Sequence, residues 1–148
     1  IEYMATLVER ISHLTNLTYG IGYTRAFRDG PDLYALGMGT NPDYSPEGWR
    51  AADRVGAWFR ERIGQNRHRL GYLRDVYPLN VISQPHLDMP VHGTPLGEWI
   101  RHAADRGTLR PLAGGAWLWR IEDAQVANVQ AELEAAGLLI AQLGSTRK

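Results

Sequence analysis

Apolar and polar positions recur along this chain with two periods, and each change of period marks an element. Met4, Leu7, Val8, Ile11 and Leu14 lie at helical spacing, with Glu2, Glu9 and Arg10 on the other face. That predicts an amphipathic helix over residues 2–15, stopped near Asn16. From Leu17 the period drops to two. Tyr19, Ile21 and Tyr23 alternate with Gly20, Gly22 and Thr24, which is strand patterning. Arg28-Asp29-Gly30-Pro31-Asp32 reads as a turn and Leu33 to Met38 as a returning strand, so residues 17–39 are expected to form a β-hairpin. Its glycines, Gly20, Gly22, Gly37 and Gly39, mark either a bulge or close approach by another backbone or a ligand, or a face over which a helix packs tightly; no phosphate-loop pattern surrounds them, which favours the packed helix.

Ser45-Pro46-Glu47 opens a second helix, with Ser as cap and Pro at the first helical position. Trp49, Ala52, Val55, Gly56, Phe59 and Ile63 form its apolar stripe, which leaves Trp58 partly exposed, and it runs to about Gly64. Val76 to Ile82 reads as a buried strand. Pro78 cannot donate to a ladder, so the strand is expected to lie at an edge, carry a bulge or start after Pro78. Asn80 inside it needs hydrogen-bond partners, either to tie down a neighbouring loop or to point into a pocket. Thr94-Pro95 caps a helix with Leu96, Trp99, Ile100 and Ala103 inward, ended by Gly107. Thr108 to Leu112 is extended, Ala113-Gly114-Gly115 turns, and Ala116 to Ile121 is a strand with Trp117 and Trp119 on one face and Leu118 on the other. A last helix carries Val126, Val129, Leu133 and Ala136 inward, with Gly137 as C-cap. Leu138 to Ala141 is expected to be a final strand, and Gly144 to Lys148 a frayed tail. The whole is α+β: a mixed or antiparallel sheet of about five strands with a β-hairpin, flanked by about four helices.

Length and composition narrow this picture. A chain of 148 residues is one domain by default and buries a real core. It begins Ile1-Glu2-Tyr3, without an initiator Met or a signal-peptide pattern, so an upstream segment is expected to be missing. Sixteen basic residues balance sixteen acidic ones, which removes any global pull toward nucleic acid or anionic lipid. Lys148 is the only Lys; with the abundant Ala and Gly, this bias toward Arg reads as GC-rich, bacterial coding. The absence of Cys excludes disulfides, thiolate catalysis and Cys-based zinc sites, and fits a cytoplasmic protein. No apolar run approaches the ~20 residues of a membrane helix.

Candidate chemistry concentrates between Leu70 and Gly93, a segment at once apolar, aromatic, charged and punctuated by proline. His86-x-Asp88-x3-His92 offers imidazole and carboxylate ligands suited to Zn, Mn or Fe, but Pro85 and Pro90 argue for a rigid loop whose polar groups bond backbone. Arg67, His68 and Arg69, with Arg60, Arg62 and Arg74, make the one local basic cluster, read either as a phosphate or acidic-partner site or as a solvated helix end. No nucleophile elbow, phosphate loop or Glu-rich helix pair is present.

Three stretches carry a resemblance: the Tyr-Gly-x-Gly-Tyr pattern of a strand (Tyr19 to Tyr23), the Arg/Gly-rich entry to an apolar strand (Gly71 to Ile82) and the Gly-turn strand (Gly114 to Ile121). Over residues 17–121 this arrangement resembles bacterial immunity proteins that neutralise secreted toxins of type VI and related systems. The resemblance implies stoichiometric binding of a cognate toxin in the cytosol by surface complementarity. It brings no catalytic signature, and no functional residue is carried over from it. The expected function is therefore non-enzymatic binding of a protein partner, without cofactor, through a face that includes Arg67, Arg69, Tyr72, Arg74, His86, Asp88 and His92. The alternative is a small metal-dependent hydrolase using His86, Asp88 and His92. A nucleic-acid or phosphate module built on the Arg60–Arg74 cluster is a weaker third reading.

Overall fold

The computed structural model describes residues 2–24, 31–36, 52, 54–59 and 66–140. Its elements in chain order are α1 (Glu2–Ser12), β1 (Gly20–Gly22), α2 (Pro31–Leu36), α3 (54–59), β2 (Leu79–Ile82), α4 (Gln84–Leu87), β3 (Pro90–Val91), β4 (Thr94–Pro95), α5 (Leu96–Arg101), β5 (Thr108–Pro111), β6 (Trp117–Arg120) and α6 (Asp123–Ala135). The fold is α+β. Four strands form an antiparallel sheet in the order β1-β2-β6-β5, and β3 and β4 form a separate two-stranded ribbon.

The pleat assigns each residue to a face. Val81 pairs with Leu118 and Leu79 with Arg120, so these four share one side of the sheet. α1 covers that side: Ala5 is buried against Leu79, Val81, Ala116 and Leu118, with Met4 and Val8 partly buried. Gly20 and Gly22 lie on the same side, opposite Val81 and Leu79. A Cβ at Gly22 would come within 2.9 Å of the Leu79 side chain and 3.0 Å of the Met4 methyl, so the Gly-lined face is there to admit a helix. Ion pairs from Glu2 to Arg120 and from Glu9 to Arg110 fasten the rim of α1 to the sheet. The opposite side carries the larger core. There Ile82 and Trp119 pack with Leu73, Trp99 and Ile100, and with Val129 and Leu133 of α6.

Several expectations are corrected. Residues 31–36 are helical, and β1 pairs with β2 instead of folding back on Leu33–Met38. Pro31 has a φ suited to a first helical turn and no N–H for a ladder, which favours this outcome. The hairpins lie later, at β3–β4 and β5–β6. In α1, Leu7 and Ile11 are exposed, as is Leu14 just past its end, because small Ala5 is the residue that fits against the sheet, while buried Ser12 turns its hydroxyl back to the Glu9 carbonyl. In α3, Phe59 is exposed, while Trp58 turns toward Tyr19, His68 and Arg74. β2 starts after Pro78, as the missing N–H requires, but it is a central strand and not an edge. Residues 84–87 are a short helix and not an irregular loop. Residues 138–140 make a single parallel bridge, Leu139 to Leu73, outside the main sheet. The expected helix start at Ser45–Glu47 and its stripe residues Trp49 and Ile63, the turn at Arg28–Gly30, Gly37 to Gly39, Arg60, Arg62 and the tail from Gly144 lie outside the described residues.

Candidate functional site

The segment expected to form one exposed face is split by burial. Arg74 is 3 % exposed and His86 1 % exposed, whereas Arg69, Asp88 and His92 are at the surface and Arg67 and Tyr72 are half-buried. Arg74 is spent on structure. Its guanidinium donates to the carbonyls of Tyr34 and Ala35 at the end of α2 and lies over the Tyr34 and Trp58 rings, at 4.6 and 5.3 Å. Cations at helix C-termini and over aromatic faces are favourable in this way. Asp75 is equally committed: its carboxylate accepts from Arg54 Nε and Nη2 at 3.1 and 2.9 Å, from Gln130 at 2.6 Å, and from the Val76 amide at 2.9 Å. Burial opposes the charge on Arg54, but its hydrogen bonds to Asp75 and the charges of Asp75 and Glu134 prevail and raise its pKa. Consecutive residues 74 and 75 thus clamp α2 on one side, and α3 and α6 on the other.

Asn80 resolves as a local tie. Its Oδ1 accepts from the Tyr77 amide at 3.2 Å and its Nδ2 donates to the Tyr77 carbonyl at 2.6 Å, which fixes the chain around Pro78. The Tyr77 hydroxyl meets that of Tyr34 at 3.0 Å. Burial, then the neighbouring Tyr34, push the Tyr77 hydroxyl far above its ordinary pKa, so it stays a neutral structural group.

The expected metal triad does not converge. His86 faces the interior, Asp88 accepts from Gln84 at 2.7 Å on the exposed side of α4, and His92 sits at the β3–β4 turn with φ 50° beside Gly93 at φ 87°. Among the described residues no group of three or more His, Asp or Glu side chains is placed to hold a metal ion.

His86 belongs to a different constellation. Its ring stacks on Tyr19, with centroids 5.1 Å apart and planes 9° from parallel, and the His68 ring lies tilted at 5.9 Å from Tyr19. Tyr19 is held in turn by its hydroxyl, which accepts from the Arg74 amide at 2.7 Å. Ser83 precedes α4, and its backbone N–H donates to His86 Nδ1 at 3.2 Å, a reciprocal start to the helix in which His takes the place of the usual Glu or Gln. The single turn of 3-10 helix at Arg67–Leu70 closes over this site and ends at Gly71. Gly71 has φ 102°, and a Cβ there would fall 2.4 Å from the Pro85 carbonyl oxygen, so only Gly lets the turn approach α4 so closely. Between them lies a cavity of about 540 Å3 lined by Thr18, Tyr19, His68, Arg69, Ser83, Pro85 and His86.

Burial lowers the His86 pKa to about 4, with interactions at the Ser83 and His68 backbones opposing that shift. The ring is therefore neutral near pH 7. Among the described residues Nε2 makes no bond of hydrogen-bond geometry. Reading the sequence singled out His86 but missed Tyr19, Ser83 and Pro85 as its companions. The usable signal was Ser83-Gln-Pro, a cap followed by proline in the first turn, with a polar side chain three residues after the cap. Comparison with protein-family models, with curated proteins and with solved structures found no match for this chain.

Proposed function

We propose that this chain is a non-enzymatic protein-binding domain of the immunity or inhibitor type, which neutralises or restrains a protein partner by one-to-one surface complementarity in the bacterial cytosol. The observation that carries this reading is the outer face of α1. Tyr3, Leu7 and Ile11 are 80, 44 and 37 % exposed and follow one another at helical spacing, and Leu14, 85 % exposed, extends the line in the turn just past the helix. The inner face of the same helix already satisfies the sheet through Ala5, so these side chains contribute little to the fold. A contiguous apolar stripe on an anchored helix is the pattern of a helix-in-groove contact. The docking face thereby shifts from the segment around Arg74 and His86, whose key side chains are buried, to the opposite side of the sheet.

The experiment is capture from lysate of the source organism with the wild-type chain and with a Leu7→Asp, Leu14→Asp variant. The reading expects one protein recovered in equal molar amount by the wild type, retained at moderate salt and lost with the variant. Recovery by both chains alike, or sedimentation showing that the stripe only joins two copies of this chain, overturns it.

A further inference from the structure

The cavity beside His86 has no part in that contact, and its chemistry is specific. The Ser83 backbone amide can only donate, so His86 Nδ1 accepts from it at 3.2 Å; the Ser83 hydroxyl, 3.0 Å from the same nitrogen, then donates to it as well, and the ring proton of the neutral imidazole is assigned to Nε2. That N–H is buried and has no acceptor of proper geometry among the described residues, although the His68 backbone lies nearby. Folded proteins leave few buried donors unpaired, and one that lines a cavity is a place for an acceptor on a ligand. A second observation is independent of the first. Arg69 lines the same cavity, is exposed, and its guanidinium makes no hydrogen bond or ion pair among the described residues. The Thr18 hydroxyl adds a donor, the Ser83 hydroxyl being engaged by His86 Nδ1 at 3.0 Å, and Tyr19 and Pro85 supply an apolar wall.

We propose that this cavity binds a small organic monocarboxylate, whose carboxylate accepts from His86 Nε2–H and pairs with Arg69 while its apolar body lies against Tyr19 and Pro85. Donors predominate among the polar groups, and a guanidinium prefers a planar carboxylate. One guanidinium with one neutral imidazole matches a single negative charge better than the double charge of phosphate. Because the imidazole is neutral, its donor persists across the physiological range and binding should not depend on protonating it.

The test is calorimetric and NMR titration of the full chain with benzoate and with butyrate, against inorganic phosphate and benzamide as controls. The expected result is saturable one-to-one binding of a carboxylate, weakened about tenfold or more by Arg69→Ala, as loss of a charge-assisted hydrogen bond implies. His86→Phe should abolish it. Should that variant fail to fold, the Nε2–H proton of wild-type His86 decides the matter by itself: it moves downfield as carboxylate is added and stays put with benzamide. Lack of saturation with both carboxylates, equal affinity in Arg69→Ala, equal binding of phosphate, or an unmoved His86 proton would overturn the proposal.

Discussion

Arg74 and His86 are both polar, both buried, and both flank the central strand β2, yet they differ in how their polar atoms are used. Arg74 and its neighbour Asp75 have partners on every side: carbonyls of α2, rings of Tyr34 and Trp58, and the Arg54 and Gln130 side chains. His86 has one nitrogen fixed by Ser83 and the other without a bond of proper geometry among the described residues. The first arrangement is what a fold needs from buried charge, since an ion removed from water must be met by hydrogen bonds. The second leaves a buried donor that the nearby His68 backbone does not meet in proper geometry. Burial alone does not separate a structural polar residue from a functional one; the accounting of donors and acceptors does.

Substitutions that unbalance either side sharpen this contrast. The largest effect is expected at Asp75. Asp75→Ala leaves Arg54 with Glu134 alone among the described residues, strips the Gln130 amide and the Val76 N–H of their acceptor, and should destabilise the chain by roughly 3 kcal/mol in urea unfolding. His86 should show its cost through pH instead. Its pKa falls from 6.5 to about 4 on folding, so between these values the unfolded chain holds the proton and the folded chain does not. Stability is then full above pH 6.5 and declines as pH falls toward 4, by roughly 3 kcal/mol. His86→Gln should remove that part of the slope while changing stability little at pH 7; unfolding curves at both pH values check this. Asn80→Ala deprives the Tyr77 amide and carbonyl of their partners and should cost about 2 kcal/mol. Leu14→Asp should shift stability by under about 0.5 kcal/mol, because its side chain stands in water, and Leu7→Asp, at 44 % exposure, by about 1 kcal/mol. A large loss there would mean that the stripe supports the fold and is not kept for a partner.

The sequence reading was best where one residue type forces one outcome. Pro78 placed the start of β2, Gly137 followed the end of α6 at positive φ, and Trp119 and Leu118 parted to opposite faces as a period of two requires, whereas the helix expected to run to Gly107 stops at Arg101, with Ala103 extended and Gly107 ending a separate 3-10 turn. It failed where two periods fit the same residues. Leu33 to Met38 reads as a strand by apolar content, but tertiary contacts, with Arg74 on the carbonyls of Tyr34 and Ala35, accompany a helix over Pro31–Leu36. The stripe of α1 was legible as helical, but not which half of it faces the sheet. That depends on Gly22, whose missing side chain lets Met4 approach. The candidate site was only half legible. His86 stood out beside Pro85, while its partners Tyr19 and Arg69 come from distant or differently read segments, and no local pattern ties them to it.

The most direct test is the protonation of His86 itself. In the free chain labelled with 15N at its histidines, long-range proton–nitrogen spectra distinguish the two neutral tautomers and follow the ring through its titration. The account predicts a neutral ring at pH 7 with its proton on Nε2, titrating near 4. A ring with its proton on Nδ1, or one that titrates near 6.5, would contradict it, for then the donor assigned to the cavity would not exist.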